Sequence, residues 1–154
     1  MARYNKYGFA VDQIIAEDFA LPNANNSALT NTVQIPSVGT GRLKVVICAS
    51  STTVELASSA TLRITPLFGT AANACTVRAM GTIELKEGDL TLANTAGSAT
   101  TKDLPDNSTW ASGEIITEFY IPDRLAKAYD YMDINVATSA NESADYIEAY
   151  LVVE

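Results

Sequence analysis

The chain has 154 residues, of which 47% are hydrophobic and 18% charged, a length suited to one folded domain with its own core. It contains no histidine, which removes the Ser-His-Asp and Cys-His nucleophile pairs, His-built metal centres and the commonest general base. Ten Lys+Arg against 18 Asp+Glu leave a net charge of -8, a balance that disfavours nucleic acid and anionic membrane surfaces as partners.

In chain order, the opening segment interleaves cationic and aromatic residues: Arg3, Tyr4, Lys6, Tyr7 and Phe9. Tyr and Arg offer much contact area for little ordering entropy, so this stretch is a candidate contact arm as well as a candidate frayed terminus. It has no apolar core of signal-peptide length, and no run in the chain approaches the ~18 apolar residues of a membrane span. The protein is expected to stay soluble in the compartment where it is made. Phe9–Phe19 fits either a short helix or an extended arm. Residues 1–30 are therefore expected to form an arm and lead-in, and residues 31–154 a single domain.

From Thr32 onward, period-2 alternation dominates, the signature of strands with one buried face. Thr32–Ile35 is a short candidate. In Arg42–Ser50, Leu43, Val45, Ile47 and Ala49 share one face, and Arg42, Lys44, Cys48 and Ser50 the other. Thr61–Phe68 sets Leu62, Ile64 and Phe68 against Thr61, Arg63 and Thr65. Pro66 lacks an amide hydrogen, so an edge position or a bend is expected there. Thr76–Leu85 places Val77, Ala79, Ile83 and Leu85 opposite Thr76, Arg78, Thr82 and Glu84, and Asp89–Leu92 is another short candidate.

The last third continues the pattern. Glu114–Ile121 is expected to bury Ile115, Phe119 and Ile121 and to expose Glu114 and Glu118. Asp123–Tyr129 follows Pro122 and reads as a turn or two of helix, with Leu125, Ala128 and Tyr129 on one side. Met132–Thr138 sets Met132, Ile134 and Val136 against Asp133, Asn135 and Thr138. Asp145–Val153 turns Ile147, Ala149, Leu151 and Val153 inward, and Tyr146, Glu148 and Tyr150 outward. About eight strands joined by loops of small polar residues predict an all-β, antiparallel β-sandwich of jelly-roll or related Greek-key type.

Residues 1–110 carry 8 basic and 9 acidic groups (net -1), and residues 111–154 carry 2 and 9 (net -7). One strongly negative side is expected if the late strands lie together. Cys48 and Cys75 lack CxxC spacing and read as buried apolar thiols. Glu114 and Glu118 share a face and could act as a carboxylate pair only inside a cleft. Asp123, Asp130, Asp133 and Asp145 are oxygen donors for calcium without the Asp-x-Asp-x-Asp-Gly loop of a dedicated site. Trp110, the one tryptophan, sits in Asp103–Trp110. It could plug the end of the sandwich, anchor a protein partner or stack on a sugar.

The ordered layout resembles the jelly-roll capsid cement (decoration) proteins of tailed bacteriophages. The likeness rests on Phe9–Ile15 leading through a Ser/Asn-rich stretch to Asn31–Pro36, then Arg42–Cys48 followed by Ala60–Phe68. It closes with Ile121-Pro-Asp, Lys127–Val136 and the last strand, Ala144–Glu154. The resemblance implies a non-enzymatic, cofactor-free protein on the outside of an icosahedral virion, made in the host cytoplasm. Its partners would be the major capsid protein and other copies of itself, in trimers. Arg3, Tyr4, Lys6, Tyr7, Phe9 and Trp110 are the expected contact residues. The competing expectation is a carbohydrate- or receptor-binding module of a tail fibre or adhesin, with Trp110, Tyr146 and Tyr150 as its platform.

Overall fold

The structure, a computed structural model, describes residues 3–4, 10–11, 13–36, 42–57, 59–87, 99–104 and 109–154. Its elements in chain order are β1 (Arg3–Tyr4), β2 (Ala10–Val11), β3 (Gln13–Ala20), β4 (Ser27–Leu29), β5 (Val33–Gln34), β6 (Leu43–Ala49) and β7 (Val54–Glu55). Then come β8 (Thr61–Gly69), β9 (Thr82–Glu87), β10 (Ala99–Leu104), β11 (Thr109–Trp110), β12 (Ile115–Ile121), α1 (Asp123–Ala128), β13 (Tyr131–Thr138) and β14 (Tyr146–Val153). One main sheet runs β12-β6-β14-β3. The other runs β10-β9-β8-β13-β4, with β5 also on β13. All pairings are antiparallel except β9 with β10, which is parallel. The expected all-β, sandwich-like architecture is present.

The alternation predicted for β6, β8, β13 and β14 builds the core. Val45 and Ile47 from one sheet share a buried cluster with Leu62, Ile64 and Phe68, and with Met132, Ile134 and Val136 from the other. Ile147, Ala149 and Leu151 complete the inner face of β14. Each such aliphatic side chain, fully withdrawn from water, contributes about 1.5–3 kcal/mol. The helix of α1 also forms where expected: Pro122 precedes it, Asp123 and Lys127 complement its dipole, and Leu125 is its buried anchor. Tyr129 packs toward Phe68, ring centroids 5.7 Å apart, whereas Ala128 is exposed and Ala126 takes its place against the core.

Several expectations are corrected. Phe9–Phe19 is not helical where described: Ala10–Val11 and Gln13–Ala20 are strands. β3 and β4 are sheet members, paired with β14 and β13. In β3 the register steps from Ile147↔Phe19 to Ala149↔Ala16 to Tyr150↔Ile14, so β3 bulges twice. Asp18 sits at φ 44° in the first bulge, a conformation Asp tolerates better than most residues. The second bulge lets the consecutive Ile15 and Ala16 both enter the core.

The same device overturns the reading of β12. A register shift between Ile115 and Thr117 turns Ile115 outward, 39% exposed, and brings Ile116 to the core. Thr76–Leu85 is not one strand. Val77 makes a single bridge to Phe68, Gly81 turns at φ 75°, and the strand begins at Thr82. Val153 is exposed rather than inward. Asp89–Leu92 lies outside the described residues.

Pro66 shows how a proline fits between two strands. The Phe68 amide points away from β13 and donates to Val77 O at 2.9 Å, and residue 66, two positions earlier, presents its nitrogen to the same side. The β8–β9 ladder stops at Ile64↔Ile83, so no ladder bond is lost at Pro66.

The outer face of the four-stranded sheet is not solvated as expected. Val46, Cys48, Glu148 and Tyr150 are all buried, and β2 lies against β14. The late strands are also dispersed: β6 separates β12 from β14, and β13 is in the other sheet. The condition for one negative side, that the late strands all lie together, is therefore not met. Truncating Ile134, at the centre of the core, to Ala is expected to cost about 2–5 kcal/mol in chemical denaturation, with an unchanged denaturant slope.

Candidate functional site

The expected contact residues fall in different places. Arg3 and Tyr4 form β1, whose register with β2 is Arg3↔Val11 and Tyr4↔Ala10. Lys6, Tyr7 and Phe9 lie outside the described residues. Trp110 is in β11, opposite Val54 of β7, and its half-buried side chain packs against the core. Neighbouring carboxylates hold that rim. Glu142 accepts the Ala57 amide at 2.8 Å and Asp145 accepts the Glu55 amide at 3.2 Å. Burial raises the pKa of both acids, and the backbone hydrogen bonds offset part of the shift.

The aromatic platform expected for a sugar module is not assembled. Tyr150 is 2% exposed and donates its hydroxyl to Glu148, which also accepts from Ser50 Oγ at 3.2 Å. Ser50 Oγ contacts Asp18 as well. The β3 bulge places Asp18 there, and this polar knot lies on the outer face of the sheet beside the buried Cys48.

The proposed carboxylate pair is likewise dispersed. Glu114 and Glu118 are both exposed. Glu114 accepts the Ala111 amide at 2.7 Å, and Glu118 lies 3.5 Å from Lys44 Nζ. Lys44 also reaches Glu154 at 2.9 Å, and Tyr120 donates to the same carboxylate at 2.6 Å. The Arg42 guanidinium stands 3.9 Å from the centre of the Tyr120 ring. Hydrogen bonds from Tyr120 and Lys44 hold Glu154 below the usual carboxylate range, while the bond to Glu154 raises Lys44 and Tyr120. This network clamps the end of β14 to β6 and β12.

Among the described residues, no group of three or more His, Cys, Asp or Glu side chains converges as a metal would require. Of the four candidate calcium donors, Asp145 is spent on Glu55 and Asp133 is 4% exposed. Asp133 Oδ2 accepts from Thr32 at 3.3 Å, and Oδ1 has no partner among the described residues. Burial raises the Asp133 pKa. The buried Cys75 is raised by burial and by the Asp133 charge.

A concavity that the alternation did not single out lies on the outer face of the second sheet, where β4, β13 and β8 end. The registers Ser27↔Ala137 and Ala137↔Arg63 set three side chains in a row. Ala137, too small to fill the space between its neighbours, leaves a hollow of about 290 Å³. Asn25 and Asn26 wall one side, and Thr61 and Ser139 the end. The sequence signals are the Ser/Asn-rich stretch ahead of Asn31 and the small residue at 137.

Comparison with known proteins is negative throughout: no family model, curated protein or solved structure matches this chain.

The buried Asp133 generates a pH prediction. Its folded pKa is raised, so the native state holds this proton more tightly than the unfolded chain, and stability from this group is lost as pH rises through the folded value. Asp133→Asn removes the charge that neutral pH imposes. The variant is expected to be more stable than the parent at pH 7, by about 1 kcal/mol. In thermal melts across pH the difference should shrink toward zero as the medium is acidified.

Proposed function

We propose that this protein is a jelly-roll structural adhesin of the capsid cement type, binding the outer surface of an icosahedral phage shell and tying neighbouring major-capsid subunits together. The observation that carries the reading is the nested strand order. Leaving aside β10, which adds to β9 in parallel at the sheet's edge, and taking β4 and β5 as one position, the strands of the two main sheets are β3, β4/β5, β6, β8, β9, β12, β13 and β14. The first pairs with the last, the second with the seventh, the third with the sixth and the fourth with the fifth. One long antiparallel hairpin, rolled up, produces this nesting, which is the arrangement expected of a double-sheet jelly roll.

The mechanism on this reading is mass action. A protein that binds the assembled, expanded lattice and not the dissociated subunits stabilises the lattice, by about 2.7 kcal/mol per site when it is present at 100 times its Kd. Many copies around a shell multiply a modest contact. The proposed contact elements are the arm from Arg3 to Phe9 and the rim around Trp110, with assembly into trimers of this chain.

Deleting residues 1–9 tests the arm. The truncated protein is expected to keep its β-rich far-UV circular dichroism and to bind purified expanded shells at least tenfold more weakly in a sedimentation assay. Undiminished binding would remove the arm from the account. Failure of the full-length protein to bind any shell of its own phage would overturn the reading itself.

A further inference from the structure

We infer that the concavity over Ala137 is a binding site for one neutral sugar ring, a function independent of capsid adhesion. The inference starts from the row Ser27, Ala137 and Arg63 across three strands. A larger residue at 137 would fill the hollow. Alanine leaves a floor with hydroxyl and amide side chains around it.

The walls are fixed before any ligand arrives. Asn25 adopts φ 59°. Its amide donates to Thr138 O at 2.9 Å, the Asn26 amide to Asn23 O at 3.1 Å, and the Thr138 amide to Asn26 O at 3.4 Å. The Thr61 amide donates to Ser139 Oγ at 2.8 Å, and the Ser139 amide to Thr61 O at 3.0 Å. Backbone groups are thus spent on holding the shape, and a pre-formed site loses less entropy on binding.

The side chains of Asn25, Asn26 and Ser27 make no hydrogen bond with the described residues and stand exposed at the opening. They supply donors and acceptors together, which is what vicinal hydroxyl groups require. Among the described residues, Arg63 is the only lining charge. Its Nε donates to Glu84 at 2.7 Å, leaving the Nη groups without an acceptor among the described residues.

That pairing selects the ligand class. Arg63 and Glu84 cancel in charge, so a carboxylate or phosphate finds no net attraction, on a protein that already carries -8. Among the described lining residues a cation finds no carboxylate, and the apolar parts, the Ala137 methyl with those of Thr61 and Thr138 and the Arg63 methylenes, are interleaved with polar groups, as the faces of a sugar ring require. A neutral polyhydroxyl ring satisfies the unspent amides, hydroxyls and Nη groups at once. The hollow, about 290 Å³, sits at the small end of ligand pockets, which run from about 300 Å³ upward.

The test is titration of the isotopically labelled full-length protein with glucose, galactose, mannose and N-acetylglucosamine at millimolar concentration, read by amide shifts. At least one of the four is expected to move the signals of residues 25–27, 61–63 and 137–139. Ala137→Leu, which fills the floor, should abolish those shifts. Arg63→Ala should weaken binding about tenfold or more, the cost of losing hydrogen bonds to a charged donor. Trp110→Ala should leave the shifts unchanged. If Ala137→Leu fails to fold, the exposed Asn26→Ala and Arg63→Ala variants carry the same test. No response to any of the four sugars, shifts that survive Ala137→Leu, or an affinity unchanged by both Asn26→Ala and Arg63→Ala, would overturn the site. Tighter binding of glucuronate than glucose would overturn the neutral class of ligand.

Discussion

The structure depends on the insertion of β14 between β6 and β3. This last strand pairs with β6 from Ile147↔Ala49 to Val153↔Leu43 while β3 closes its other side. The two ends of the described sandwich are thereby joined in one sheet, and the other nested pairings lie between them. The insertion works because Ile147, Ala149 and Leu151 alternate cleanly toward the core. A slip of one residue would exchange that row for Glu148 and Tyr150. The network of Lys44, Tyr120 and Glu154 holds the same register at the sheet's end.

How much of this is legible in the sequence depends on whether local pattern or a distant partner decides each element. β6, β8, β13, β14 and α1 are readable because burial on one face imposes a period that the residues keep. Ile115 misleads because a bulge, set by pairing with β6, shifts the period partway along β12. Glu148 and Tyr150 alternate as outward residues, yet both are buried, with β2 lying as a further layer against β14. Nothing in the local pattern of β14 signals that layer. Pro66 is compatible with its strand only because the ladder with β9 has stopped at Ile64.

The candidate surfaces divide in the same way. Trp110 was legible as a special residue, but its half-buried packing places it in the rim beside Val54 rather than on an open platform. The carboxylates that drew notice, Glu114 and Glu118, cap a turn and pair with Lys44. The concavity over Ala137 escaped because its residues come from three separated segments, and its defining feature is a side chain too small to announce itself. Chemistry that depends on a motif can be read along a chain. A hollow made by register between strands becomes visible only once the strands are paired.

On the proposed reading, the rolled sandwich serves as a stiff body whose rims and arm do the adhering. An electron cryomicroscopy map of the mature particle from the parent phage tests that claim most directly. The account predicts density matching the sandwich on the outer shell, repeated by the icosahedral symmetry at boundaries between major-capsid subunits. A map that places the protein on the tail, inside the shell or nowhere on the particle would contradict it.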